Sequence, residues 1–186
     1  MMDKSIKKVG YQEISLDGFE TQVSANKELN NLVASVVLIL VTDGADLDAI
    51  VAVRAVLRKA GITALLTAPS ANLLRSAQEC PIIIDKILPT EGSCLFDAIF
   101  IPEVKGVHHH RLNDETILFI KNAYQNGKVI ATVDPEIILS LESSKILALD
   151  NHKFFDAQII NYHENDNQFF KRFVNAITER NSLNVS

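Results

Sequence analysis

The sequence predicts an α/β fold: a doubly wound, flavodoxin-like, mostly parallel sheet with helices on both faces. Three observations carry this. Short runs of β-branched and aliphatic residues alternate along the chain with segments whose apolar residues recur at helical spacing. The strand-like runs are apolar throughout instead of alternating with polar residues, which is the pattern of parallel strands covered on both faces. Glycine, Asp-Gly and Asp-Pro mark the junctions between them.

The elements follow in order. Residues 1–34 are polar and weakly patterned, and the composition changes abruptly at Ser35, so the chain divides into an N-terminal extension or arm (1–34) and one domain (35–186). "VVLILVTDGAD", Val36 to Asp46, begins the domain as a buried strand ended by Asp43-Gly44. A helix follows, capped by Asp46, with Leu47, Ile50, Val53, Leu57 and Ala60 on one face and Gly61 as its stop. Ile62 to Pro69 is the second strand and completes a right-handed βαβ unit. Pro81 to Gly92 reads as a short strand and loop, and Phe96 to Val104 as another buried strand. Asn113 to Gly127 is a helix with a capping Asn, acids in its first turn, Ile117, Ile120 and Tyr124 on one face, and a terminal glycine. Val129 to Val133 is the next strand, Pro135 to Leu141 the next helix, and "AQIINYH" a late strand. Asp166 to Arg180 closes the chain as an amphipathic helix with Phe169, Phe170, Phe173, Val174 and Ile177 on its apolar side.

Composition narrows the function classes. A chain of 186 residues buries a substantial core. Its hydrophobic share is 47%, yet no apolar run nears the roughly 18 residues that span a bilayer, so the sequence reads as soluble, without a membrane partner. Lys4, Lys7 and Lys8 are followed by no apolar run, which argues against a secretory signal and for the cytoplasm. Two cysteines, Cys80 and Cys94, fit reduced thiols better than a disulfide scaffold. A net charge of −5 without basic clusters argues against nucleic acid as a partner.

Three ordered segments carry a family likeness. "VLILVTDGADLDAIVAVRAVLRKAGITALLTAP", "FDAIFIPEVKG" and "NGKVIATVDPEIILSL" resemble the ThiJ/PfpI branch of the class I glutamine amidotransferase-like superfamily. Within it, "LVTDGADLDAI" and "FVNAITERN" are most similar to the flavodoxin-like domain at the C-terminus of large-subunit catalases. The likeness spans roughly residues 36 to 180 and rests on ordered segments, with no catalytic signature. It implies, for active members, a cysteine at a strand-to-helix elbow, an acid from the first helix, and an oxyanion held by N–H groups of a Gly-rich loop after a middle strand. This sequence departs at each position. The elbow holds Asp134, the first-helix acid falls on or near Ala49, and Glu103-Val104 replaces the Gly-rich loop. Neither Cys80 nor Cys94 lies at an elbow.

The candidate residues have competing readings. Asp134, followed by Pro135, is explained as a helix N-cap with proline at the first helical position, where no N–H is needed. As a nucleophile or base it requires a partner that the neighbouring sequence does not show. Asp43, Asp46 and Asp48 sit where open α/β sheets bind ligands and suit a Mg²⁺ site, or equally a turn and a cap. In "GVHHHRL", His108 and His110 are candidate Zn²⁺ or Ni²⁺ ligands, but no further ligand stands at a recognisable spacing, and a solvated loop is the simpler reading. His152 and His163 join such a site only through tertiary placement. The binding candidates are therefore Asp43, Gly44, Glu103 and Asp134, with Asp134 the one catalytic candidate; no cofactor is implied.

The expectation that follows is a non-catalytic domain of the catalase C-terminal type, supporting folding, oligomer stability, or partner or small-molecule binding, with a link to oxidative stress. Its partners would be a catalase core or further copies of itself. Residues 1–34 leave no room for a haem-bearing core, so peroxide breakdown by this chain alone is not expected. The alternative is a diverged ThiJ/PfpI-type hydrolase or deglycase with an altered elbow residue.

Overall fold

The computed structural model describes residues 35–70, 72–88, 96–105, 112–134, 137, 158–162 and 166–183. Along them run β1 (Val36–Leu40), α1 (Leu47–Lys59), β2 (Thr63–Ala68), β3 (Leu74–Arg75), β4 (Pro81–Ile82), β5 (Lys86–Ile87), β6 (Ala98–Ile101), α2 (Asp114–Gln125), β7 (Val129–Thr132), β8 (Ile159–Asn161) and α3 (Phe169–Leu183). Six strands form one sheet in the order β5-β2-β1-β6-β7-β8. Each of its pairings is parallel. β3 and β4 pair antiparallel outside it. This is the doubly wound sheet expected from the apolar runs, with the direction reversing at β1.

Burial explains why those runs do not alternate. In β1, Val37, Leu38, Ile39 and Leu40 are all buried, so successive side chains meet protein on opposite faces. On one face Leu38, Leu40, Ile99, Ile101, Ile130 and Ile159 form a single cluster with Ile120 and Ala123 of α2. On the other face the register sets Ile39 beside Phe100 and Phe100 beside Ala131. The small Ala131 leaves room for rings: Phe100 lies 6.2–6.4 Å from Phe169, Phe170 and Phe173 of α3. α1 packs over β2 and against α3 with Ile50, Val53 and Leu57 buried.

The helix ends match their sequence signals. Asp46 caps α1, its side chain accepting from the Asp48 N–H. Asn113 Oδ1 accepts from the Thr116 N–H at 2.8 Å, and Asp114 and Glu115 supply the first-turn acids of α2. α2 ends at Gly127, whose φ of 68° lies in the left-handed region. A Cβ there would also collide with the Arg180 guanidinium, which donates to the Asn126 carbonyl at 3.1 Å and ties α3 to this turn. Gly127→Ala is therefore expected to destabilise by about 1–2 kcal/mol, read by urea unfolding. Wild-type stability in that variant would show that the turn and Arg180 rearrange freely.

Ile137 is helical and buried, but the rest of the helix expected over residues 135–141 lies outside the described residues. So do the 1–34 arm, Cys94, His108, His110, His152 and His163. No helix among the described residues is long and apolar enough to cross a membrane.

Candidate functional site at the carboxyl ends of the central strands

Open α/β sheets bind ligands beyond the carboxyl ends of their strands, where neighbouring loops diverge. Here the loops after β1 and β6 are tied together instead. Ala45 and Val104 form an antiparallel bridge. The Asp46 N–H donates to the Glu103 carbonyl at 2.8 Å, and the Lys105 N–H donates to the Gly44 carbonyl at 2.9 Å.

Asp46 is the centre of this junction and is fully buried. One carboxylate oxygen takes Lys105 Nζ at 2.7 Å; the other takes Gln78 Nε2 at 3.0 Å and the Asp48 N–H at 3.3 Å. Gln78 also accepts from the Leu47 N–H at 3.2 Å, so one amide side chain seals both the carboxylate and the start of α1. A tight turn presents it: the Ser76 hydroxyl accepts from the N–H groups of Gln78 and Cys80, and Glu79 adopts a φ of 59°. Burial alone pushes the Asp46 carboxyl upward, but the bonds from Lys105 and Gln78, the lysine charge and the Asp48 N–H outweigh it and hold the group below its ordinary 3.8. Burial likewise disfavours the Lys105 ammonium, yet Asp46, then Glu103 and Asp48, hold it above 10.5. Asp46 is thus a committed carboxylate in an ion pair, poorly suited to exchange protons near neutrality.

Glu103 differs. Its carboxylate is half-exposed and 3.7 Å from Lys105 Nζ, the second carboxylate on that ammonium. Burial raises its pKa above 4.5; Lys105 opposes this, and the negative charges of Asp46 and Asp134 add to it.

Asp134 follows β7 and is 8% exposed. Its N–H donates to Thr132 Oγ1 at 3.0 Å, which turns the chain out of the strand. One carboxylate oxygen reaches across to the Val104 N–H at 3.5 Å, a long but charge-assisted contact to the loop after β6. Of the N–H groups to which a capping carboxylate would turn, that of Glu136 lies outside the described residues.

The sequence candidates are thus partly gathered. Glu103 and Asp134 meet around Val104, and Gly44 joins them through its carbonyl. The Gly44 N–H is spent on the Arg75 carbonyl at 2.7 Å, and Asp43 points the other way, Oδ1 accepting from the Arg75 N–H at 2.8 Å. Asp48 is exposed. The three aspartates therefore diverge, and among the described residues no three His, Cys, Asp or Glu side chains converge as a metal set. Ala49 is fully buried, so the position of the first-helix acid is a methyl group in the core. Lys105 and Gln78 were missed. Lys105 had a readable signal, a charged pair with Glu103 directly after a buried strand at the reversal point; Gln78 had none, since it acts across 32 residues through a turn of irregular shape.

A parallel sheet of this order, reversing direction at β1, defines a flavodoxin-like α/β protein. Its solved neighbours carry the DJ-1/ThiJ/PfpI fold. Residues of this chain superpose on a two-domain protein of Anabaena variabilis with DJ-1/ThiJ/PfpI-like and ferritin-like domains (TM-score 0.58, 19% identity, 78% of this chain and 48% of that one). They also superpose on Drosophila melanogaster DJ-1beta (0.58, 14%, 82% and 98%) and on a DJ-1 superfamily protein of Salmonella typhimurium (0.55, 17%, 81% and 90%). This chain accordingly spans about half the length of the Anabaena protein. No protein-family model and no curated protein sequence matches it. At these identities the likeness is one of fold.

Proposed function

We propose that this chain is a non-catalytic domain on the DJ-1/ThiJ/PfpI fold, of the type found at the C-terminus of large-subunit catalases. In this reading it serves folding and the stability of an assembly, with a catalase core or further copies of itself, in the cytoplasm and under oxidative stress. The observation that carries it is the elbow. The position where active relatives place a thiolate nucleophile holds a buried carboxylate, and that carboxylate leans on the Val104 N–H. In the family resemblance this is the loop whose N–H groups serve the oxyanion. A fixed negative charge there repels a developing oxyanion and takes up a donor that would stabilise it. Asp134 thus acts as an internal tie between the β6 and β7 loops.

A diverged enzyme is the alternative, and Glu103 is the observation in its favour: a half-exposed carboxyl of raised pKa beside the elbow is what acid-base chemistry requires. The unfolding of Asp134 variants separates the two. If Asp134 is a tie, Asp134→Ala is expected to cost about 0.5–2 kcal/mol, and Asp134→Asn, which keeps an acceptor, to recover part of it. Equal or greater stability for the alanine variant would mark a strained functional residue and sink the non-catalytic reading.

A further inference from the structure

The outward face of α1 carries a self-complementary pattern. Asp48, Val51, Ala55 and Arg58 follow one another at intervals of three, four and three residues, so they line one stripe of the helix. All four are exposed, whereas Ile50, Val53 and Leu57 on the opposite face are buried. Val51, near the middle of the stripe, is 59% exposed. A solvated helix face carries polar residues at such positions, and a β-branched side chain brings no helix propensity to explain its presence. Asp48 and Arg58 close the two ends of the stripe with opposite charges. Among the described residues neither side chain has an ion-pair partner, although the Asp48 charge acts on Lys105.

We propose that this stripe joins two copies of the chain, α1 of one lying antiparallel to α1 of the other about a two-fold axis at the level of Val53. The inference rests on the reading that the domain assembles with further copies of itself, and it names the surface. A two-fold axis at that level sets residues equally far before and after Val53 opposite each other. Asp48 then faces Arg58 of the partner subunit, Val51 faces Ala55 of the partner subunit, and each pairing occurs twice. The sideways positions agree as well. At 3.6 residues per turn, Val51 and Arg58 lie to one side of the midline of the stripe and Asp48 and Ala55 to the other, and the two-fold rotation exchanges the sides. The order of charges is what commits the surface to a second copy, since the same stripe supplies both members of every pair. Ala55 opposite Val51 lets the helix axes approach to about 8 Å, within reach of the longer side chains at the ends. One helix pair covers less than the roughly 1,200–2,000 Å² of a standard interface, so the dimer dissociates on dilution.

Sedimentation equilibrium of the full chain reads the association, with circular dichroism to establish that each variant is folded. The wild type is expected to be a concentration-dependent dimer and Val51→Glu, which sets an unpaired charge at the centre of the contact, a monomer over the same range. Asp48→Lys and Arg58→Glu each turn both end pairs into like charges and should weaken the dimer about tenfold. Mixed in equal amounts, these two variants regain opposite charges at both ends, and association close to the wild-type strength should return. Mixing would not mend a loss of helix stability caused by either substitution. A wild type that stays monomeric up to about 1 mM would overturn this surface and the assembly with further copies together. A dimer that survives Val51→Glu, or a mixture no tighter than its components, would overturn the surface alone and leave self-assembly standing.

Discussion

Phe100→Ala is expected to destabilise the domain by about 3–5 kcal/mol, the range for emptying a fully buried aromatic site. Phe100 sits in the middle strand of the β1-β6-β7 triplet with no exposed surface, and three phenylalanine rings of α3 surround it. Its removal leaves a cavity between sheet and helix that Ala131 cannot fill, since both neighbours would then be methyl groups. Melting should fall by roughly 10 °C. Phe100→Leu, which keeps most of the volume, should lose less than half as much. A loss below about 1 kcal/mol for the alanine variant would mean that α3 collapses onto the sheet or is not held by these rings.

Asp46→Ala is expected to cost about 2–4 kcal/mol, from the loss of a helix cap and of a charge-assisted bond to Lys105. Three elements lose a common acceptor at once: α1, the Gln78 turn and the β6 loop. Asp46→Asn separates the contributions, since it retains the cap for Asp48 but not the ion pair. It should fall between wild type and alanine at pH 7. Because the wild-type carboxylate gives up its advantage as it protonates, the gap between wild type and asparagine should close below pH 3.8. Equal stability of wild type and Asp46→Asn at pH 7 would show that the ion pair contributes nothing.

Much of this fold was legible because its signals are local. The β1-α1-β2 unit was read from one apolar run, one capping aspartate and one glycine, all within about 34 residues of chain, and the structure places each where its chemistry predicts. α2 and its Asn113 cap were equally direct. β3 was not, and β4 and β5 were read only together, as one short strand and loop from Pro81 to Gly92: at two residues each these strands are too short to show a period, and tertiary pairing makes them. The site was legible only residue by residue. Asp46 could be recognised as a cap, but its ammonium partner lies 59 residues away, and no spacing rule connects two loops that meet only because the sheet folds. Asp134 shows the same limit, since its capping role is a local inference whereas the Val104 N–H, 30 residues upstream, is a tertiary gift.

The strand order also sets a timetable for folding. β1 stands at the middle of the sheet, and its first neighbour, β2, returns after a single helical crossover, whereas β6 must come from far along the chain: the Asp97 carboxylate that accepts from the Val36 N–H is 61 residues away. Closing the longer loop carries more entropy, so β1-α1-β2 has the means to assemble well before β6 arrives. In that interval one side of the most apolar strand in the chain lies bare, its N–H and C=O groups unpaired and Val37 and Ile39 without their later cover. Two nascent chains meeting at that edge would each offer the other unpaired backbone groups. The vulnerable moment of this protein is thus the wait for its central strand's second partner, and a chaperone or a low concentration during synthesis would act there.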